Sequence, residues 1–189
     1  MFLKRKPKSS KWFETKIFHS LPRTFELQVE SLLKKGFPNG IDEDRYCSIP
    51  YAHVLAVERE EIIGAARLFE RSIRFGREVF TVGGFGGVTT KKNKRRKGVA
   101  TAVLRKGMED FRIRNFDFAF LCADVTDSAF IRLYGKVGFV PLGKPYIYRG
   151  KSGTKYVDNN GMVVPVKATD EFKDVLSAKE ILNIGLGSW

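Results

Sequence analysis

The sequence predicts an α/β protein: a mixed, mostly antiparallel sheet with one parallel pair of strands and helices on both faces. Two observations carry that prediction. An amphipathic segment at 98–114 lies between two strand-like runs, 79–90 and 117–123, which makes a strand–helix–strand crossover. Ahead of it, 53–58 and 61–69 are strand-like runs joined by the short turn Arg59-Glu60, as in an antiparallel hairpin. Each helix has one apolar stripe, and a sheet is what such stripes cover.

In chain order, Thr15-Lys16-Ile17-Phe18 reads as a first strand. The segment 25–35 is a helix with apolar residues at 25, 29, 32 and 33, and Gly36 is expected as its left-handed stop. Ile41 to Tyr46 is an acidic loop or one helical turn, so two helical pieces are expected before the hairpin. A turn at Gly76 leads into the glycine-rich strand 79–90. Helix 98–114 places Ala100, Val103, Leu104, Gly107, Met108 and Phe111 on one face. Asp117 to Ala123 is nearly continuous and apolar, as a strand buried on both faces should be. Asp127-Ser128 caps the next helix, whose apolar face is Phe130, Leu133, Tyr134 and Val137, and Gly138 ends it. Phe139–Leu142 and Tyr146–Tyr148 form a strand pair or one bent strand. Asp158-Asn159-Asn160-Gly161 turns into a strand at 162–166, and 167–189 is a mixed tail ending in Trp189.

A chain of 189 residues, 43% apolar and 13% aromatic, can bury one proper core; a single domain is expected over 15–189, after a basic tail at 1–14. The net charge of +13 points to an anionic partner, an acidic surface or solubility alone. Cys47 and Cys122 make no disulfide framework, and there is no zinc-finger spacing. No apolar run approaches the roughly 18 residues of a membrane span, so a soluble, cytoplasmic protein is expected.

The chemistry concentrates where strand 79–90 meets helix 98–114. Between them lies Lys91-Lys92-Asn93-Lys94-Arg95-Arg96-Lys97-Gly98. A glycine turn entering a helix leaves backbone N–H groups unpaired, and with the helix dipole these suit a pyrophosphate. Basic residues around the turn strengthen the site.

Arg95-x-x-Gly98-x-Ala100 resembles the Arg/Gln-x-x-Gly-x-Gly/Ala signature of the GNAT acetyltransferases, and Leu133-Tyr134-x-Lys136-x-Gly138-Phe139 resembles that family's Leu-Tyr-x-x-x-Gly-Phe segment. The order of elements over 15–166 is also similar to the GNAT acyl-CoA N-acyltransferase fold. The resemblance implies an N-acetyltransferase using acetyl-CoA. It assigns cofactor binding to Val88, Thr89, Thr90, Arg95, Arg96, Lys97, Gly98, Val99, Ala100, Thr101 and Ser128, and the acid role to Tyr134. Within the family the pattern is closest to the aminoglycoside 2′-N-acetyltransferases, which implies Asp44, Gly86, Gly87, Asp158 and Trp189 on the acceptor side and a possible homodimer. Three departures stand out. Gly86-Gly87 replaces a Glu-Gly pair, Gly187 replaces an acid, and Asp158-Asn159-Asn160 replaces a three-Asp turn. Fewer acids imply an acceptor that is not a polycation.

Acetyl transfer to an amine needs a neutral amine, a donor to the thioester oxygen and a proton for the departing thiolate. Tyr134, a phenol protonated at neutral pH, is the candidate acid. A backbone N–H near Val88, freed where the glycine-rich strand bulges, is the candidate oxyanion donor. For the base, Asp124 at the carboxyl end of the parallel strand, Glu58, the Trp189 carboxylate and Asp44 all stay open, as does a water relay. Cys122 is expected to be a buried, inert thiol, and His53 and His19 structural. Two rival readings remain: a basic nucleic-acid-binding module, against which no RNA-type aromatic signature is present, and a non-catalytic acyl-CoA sensor.

Overall fold

The computed structural model describes residues 12–167 and 170–189. The basic tail expected at 1–14 lies mostly outside them. Ten strands and four helices follow one another as β1 (Glu14–Phe18), α1 (Arg23–Gly36), β2 (Ala52–Glu58), β3 (Glu61–Phe75), β4 (Glu78–Thr90), α2 (Val99–Ile113), β5 (Phe118–Cys122), α3 (Ser128–Gly135), β6 (Val140–Pro141), β7 (Tyr146–Arg149), β8 (Lys155–Asp158), β9 (Gly161–Pro165), α4 (Asp170–Ser177) and β10 (Leu182–Leu186).

The main sheet has the order β1-β2-β3-β4-β5-β9-β6. Its strands are antiparallel except β4 and β5, which are parallel, with Val82 to Phe85 opposite Phe118 to Leu121. A second sheet, β10-β7-β8, pairs β10 parallel with β7. One face of the main sheet is closed by α2, whose Val103, Leu104, Met108 and Phe111 pack with Phe85, Leu68 and Ala119. Tyr134 of α3 joins the same core. The other face is covered by α1, through Val29, Leu32 and Leu33, and by the carboxyl-terminal tail, through Trp189, Ile184 and Val175.

Three expectations are corrected, and the stretch left unassigned is filled in. Gly36 is the last residue of α1, not a left-handed stop; a Cβ there would fall 2.7 Å from Thr89 Oγ1, so it is glycine for close packing. Residues 41–46 form turns rather than a second helix. The segments around 140 and 147 do not pair: β6 lies beside β9 in the main sheet and β7 lies in the second sheet. The tail contains a helix and a strand, and β8 is a strand that polar Lys155 and Asp158 disguise.

Candidate functional site

β4 outruns its parallel neighbour. Past Phe85 it pairs only with β3, while β5 ends at Cys122 against β9. The cause is local: between Arg67↔Gly86 and Ala65↔Thr89 the register shifts, so Gly87 and Val88 stand opposite the single residue Ala66. Gly87 has φ +59°, a conformation that side chains resist, and such a bulge bends its strand.

The tail folds into this region. A Cβ on Gly84 would fall 2.5 Å from the Trp189 indole, and one on Gly86 2.7 Å from the Trp189 main-chain carbonyl carbon. The indole stacks on Phe69 at 6.2 Å and meets the edge of Phe120 at 5.6 Å. The group that lies against Gly84 and Gly86 is thus the segment that ends in Trp189. Arg71 clamps it, donating to the carbonyls of Ile184, Leu186 and Gly187 and to Ser48 Oγ at 2.7 Å, with its guanidinium 4.5 Å above the indole. Burial lowers the Arg71 guanidinium to about 10.

At the far end of β4, Gly98 caps α2 with φ +81°, no side chain caps the helix, and a Cβ on Gly98 would meet nothing within 4 Å. Ala102 N–H reaches Gly98 O at 3.0 Å, so the N–H groups of Val99, Ala100 and Thr101 are the orphan donors of the first turn. Two of the loop's cations are engaged: Lys91 pairs with Glu61, and Lys94 with Glu58 at 2.5 Å. Lys92, Arg95, Arg96 and Lys97 have no carboxylate partner among the described residues. Thr89 is buried beneath α1, Val88 packs against the α2-side core, and Thr90 Oγ1 is buried without a partner among the described residues. Ser128 is exposed and accepts from Arg132 at 3.0 Å.

Tyr134 is buried near Phe130 and Phe139, with ring centroids 6.3 Å away in each case, and its hydroxyl makes no hydrogen bond among the described residues. Burial, with the nearby Cys122 thiol as a second cause, pushes its phenol up to about 12. The Cys122 thiol is itself raised to about 11 by burial, as an inert thiol should be.

The candidate bases separate clearly. Glu58 is held by Lys94. Asp124 is exposed and accepts from Thr126 N–H at 2.9 Å and Thr126 Oγ1 at 2.6 Å, which hold it below the usual carboxylate range. Asp44 accepts from Tyr156 Oη at 2.7 Å and Ser152 N–H at 2.6 Å, so it organises the β7–β8 turn and is likewise lowered. Asp158 accepts from Arg45 at 3.2 Å and from Asn160 N–H at 2.9 Å. Trp189, by contrast, lies against Gly86 beside the bulge.

Four residues on this side were not singled out from the sequence. Arg45 donates to Tyr148 Oη at 2.7 Å and lies 5.2 Å from the Tyr156 ring centroid. Arg71 is the clamp. Tyr146 Oη, with the Cys122 thiol and Ser188 close by, is buried without a well-formed hydrogen bond among the described residues, as are Ser188 Oγ and Trp189 Nε1. Arg67 stands directly opposite Gly86 across the ladder, with its Cδ 3.8 Å from a Cβ built on Gly87. Its one visible signal is a charge inside the apolar run Ala65-Ala66-Arg67-Leu68-Phe69.

Residues 15–142 match the family model described as an acetyltransferase (GNAT) domain. Among solved structures, the chain is similar to ElaA of Escherichia coli, with 17% identity, 80% of this chain and 99% of that one covered, and a TM-score of 0.58. An aminoglycoside acetyltransferase, meta-AAC0020 from an uncultured soil metagenomic sample, aligns over 68% of this chain and 89% of its own, at 13% identity and a TM-score of 0.56. Eis1 of Mycobacterium abscessus aligns over 65% of this chain at 18% identity and a TM-score of 0.51, and this chain spans only 30% of its length. No curated protein matches. At these identities the structural likenesses speak for the fold.

Proposed function

Since the chain belongs to the GNAT acetyltransferase family, we propose that it moves the acetyl group of acetyl-CoA to a primary amine of a small molecule by direct attack. One observation carries this reading. β4 parts from β5 past Phe85 and leads toward an open, uncapped helix N-terminus, while Tyr134, whose hydroxyl has no hydrogen-bond partner among the described residues, is buried in the core it shares with that helix. The orphan N–H groups of Val99 to Thr101, with Arg95, Arg96 and Lys97, suit the pyrophosphate of the donor substrate. The Gly87-Val88 bulge offers a backbone N–H for the thioester oxygen as charge grows on it.

Tyr134 is positioned as general acid. Because burial raises its phenol, it keeps its proton throughout the physiological range and has it in place to share as the thiolate leaves. Of the side-chain carboxylates considered for the amine's proton, Asp44, Glu58 and Asp124 are all engaged, which favours a water relay. The displaced acids also favour an acceptor other than a polycationic aminoglycoside. The test is a titration with acetyl-CoA followed by thiol release over a panel of primary amines. Binding and amine-dependent thiol release are expected; an amine-independent trace with full binding would instead support an acyl-CoA sensor.

A further inference from the structure

Arg67 is a cation set into the sheet beside the bulge, and nothing among the described residues answers its charge. Its Nε is buried with no hydrogen-bond partner, and no carboxylate lies within ion-pairing distance of its guanidinium. The next residue across the ladder, His53 on β2, also has a buried ring nitrogen, Nδ1, without a partner. Both project from the sheet face that carries Trp189 and α1, the face on which Gly86 and Gly87 lie. A half-buried cation without a counter-charge is costly, and an arginine fork matches a carboxylate or phosphate with two parallel hydrogen bonds. Nearby acids are held elsewhere: Asp158 by Arg45, Asp44 by Ser152 and Tyr156, and Glu26 of α1, which lies near His53, by Arg23.

We infer that the acceptor amine carries an anionic group, a carboxylate or a phosphate, which Arg67 receives beside the Gly87 bulge while the amine faces the acyl group. The inference rests on the acetyl-transfer reading above and names the class of acceptor for that same site. It also accounts for the departures from the aminoglycoside pattern, since the face that would need acids to hold a polycation presents an uncompensated guanidinium instead.

The experiment compares matched amines that differ in the anion: β-alanine against propylamine, and phosphoethanolamine against ethanolamine. Thiol release gives kcat/KM for wild type, Arg67→Gln and Arg67→Lys. Within each variant the ratio of acidic to neutral amine is independent of how much protein is folded, so a merely structural arginine would leave it unmoved. The ratio is expected to be about 10 to 100 in wild type for at least one pair, as for a charge-assisted hydrogen-bonded pair. It should fall to near 1 in Arg67→Gln and recover in part in Arg67→Lys, which restores charge but not the fork. The pair that shows the preference identifies carboxylate or phosphate. A wild-type ratio of 1 or below for both pairs, no turnover of any of the four amines, or a preference that survives Arg67→Gln would overturn the inference. If acetyl-CoA binds in calorimetry, the acyl-CoA reading stands regardless; if it does not, both fall together.

Discussion

The two ends of the β4–β5 opening carry charge of the same sign in opposite settings. At the donor end, Lys92, Arg95, Arg96 and Lys97 surround a glycine with nothing within 4 Å of its would-be Cβ. At the acceptor end, Arg45, Arg67 and Arg71 are partly or largely buried, two of them tied into hydrogen bonds and one left without a partner. Solvated charges attract a polyanion from a distance and weaken with salt, whereas buried ones fix geometry and discriminate between ligands. The first arrangement suits a ligand gripped by phosphates, the second a ligand chosen by shape and charge.

Breaking the chemistry between the two ends should have the largest effect. Tyr134→Phe keeps the aromatic packing and removes the proton, so kcat should drop by about 10²- to 10⁴-fold with little change in Tm, the usual scale for a lost general acid. Because the phenol is raised to about 12, the wild-type rate should show no descending limb from loss of this acid as pH rises through 9. A pH–rate profile of both proteins checks each point.

At the acceptor end, Arg71→Met takes the Arg71 donor from the carbonyls of Ile184 and Gly187, while Leu186 keeps Ser48 Oγ. Unsatisfied buried acceptors cost roughly 1–3 kcal/mol each, less where water reaches them, so about 2–4 kcal/mol of stability should go. Denaturant unfolding measures it, and tryptophan fluorescence should report release of Trp189. Gly84→Ala forces a methyl into the indole and should cost about 1–3 kcal/mol by overpacking, read by the same unfolding curve. At the donor end, Arg96→Gln removes one solvated charge. It should weaken acetyl-CoA binding only a few-fold, an effect that vanishes in high salt, as expected of a screened contact.

Much of the donor end was legible in the sequence, because it is made of local signals. The basic turn and the glycine at the helix entrance are one contiguous motif, and it lies where spacing placed it; the helix that carries Tyr134 was legible in the same way. The crossover from β4 through α2 to β5 was legible for the same reason. The acceptor end was not, because it is assembled from the loop at 42–48, β3, the second sheet and the tail. Asp44 and Asp124 looked available as acids, and only three-dimensional neighbours, Tyr156 and Thr126, show them taken. The second sheet escaped notice because β8 and β10 are only four and five residues long, β8 bounded by the charges of Lys155 and Asp158 and β10 interrupted by Gly185. Gly84 and Gly86 were visible as glycines, but their partner is Trp189, about a hundred residues away in sequence.

The central claim is that the open turn before α2 holds the donor's pyrophosphate, and calorimetric titration of acetyl-CoA into wild type and Gly98→Asp tests it most directly. Aspartate tolerates the left-handed φ at a cost near 1 kcal/mol, and the space around Gly98 is empty, so the variant should fold. Its carboxylate would sit where phosphate oxygens belong. Wild type is expected to bind one acetyl-CoA per chain, and the variant at least tenfold more weakly with unchanged circular dichroism. Equal affinity in the two proteins would place the nucleotide elsewhere and contradict the account.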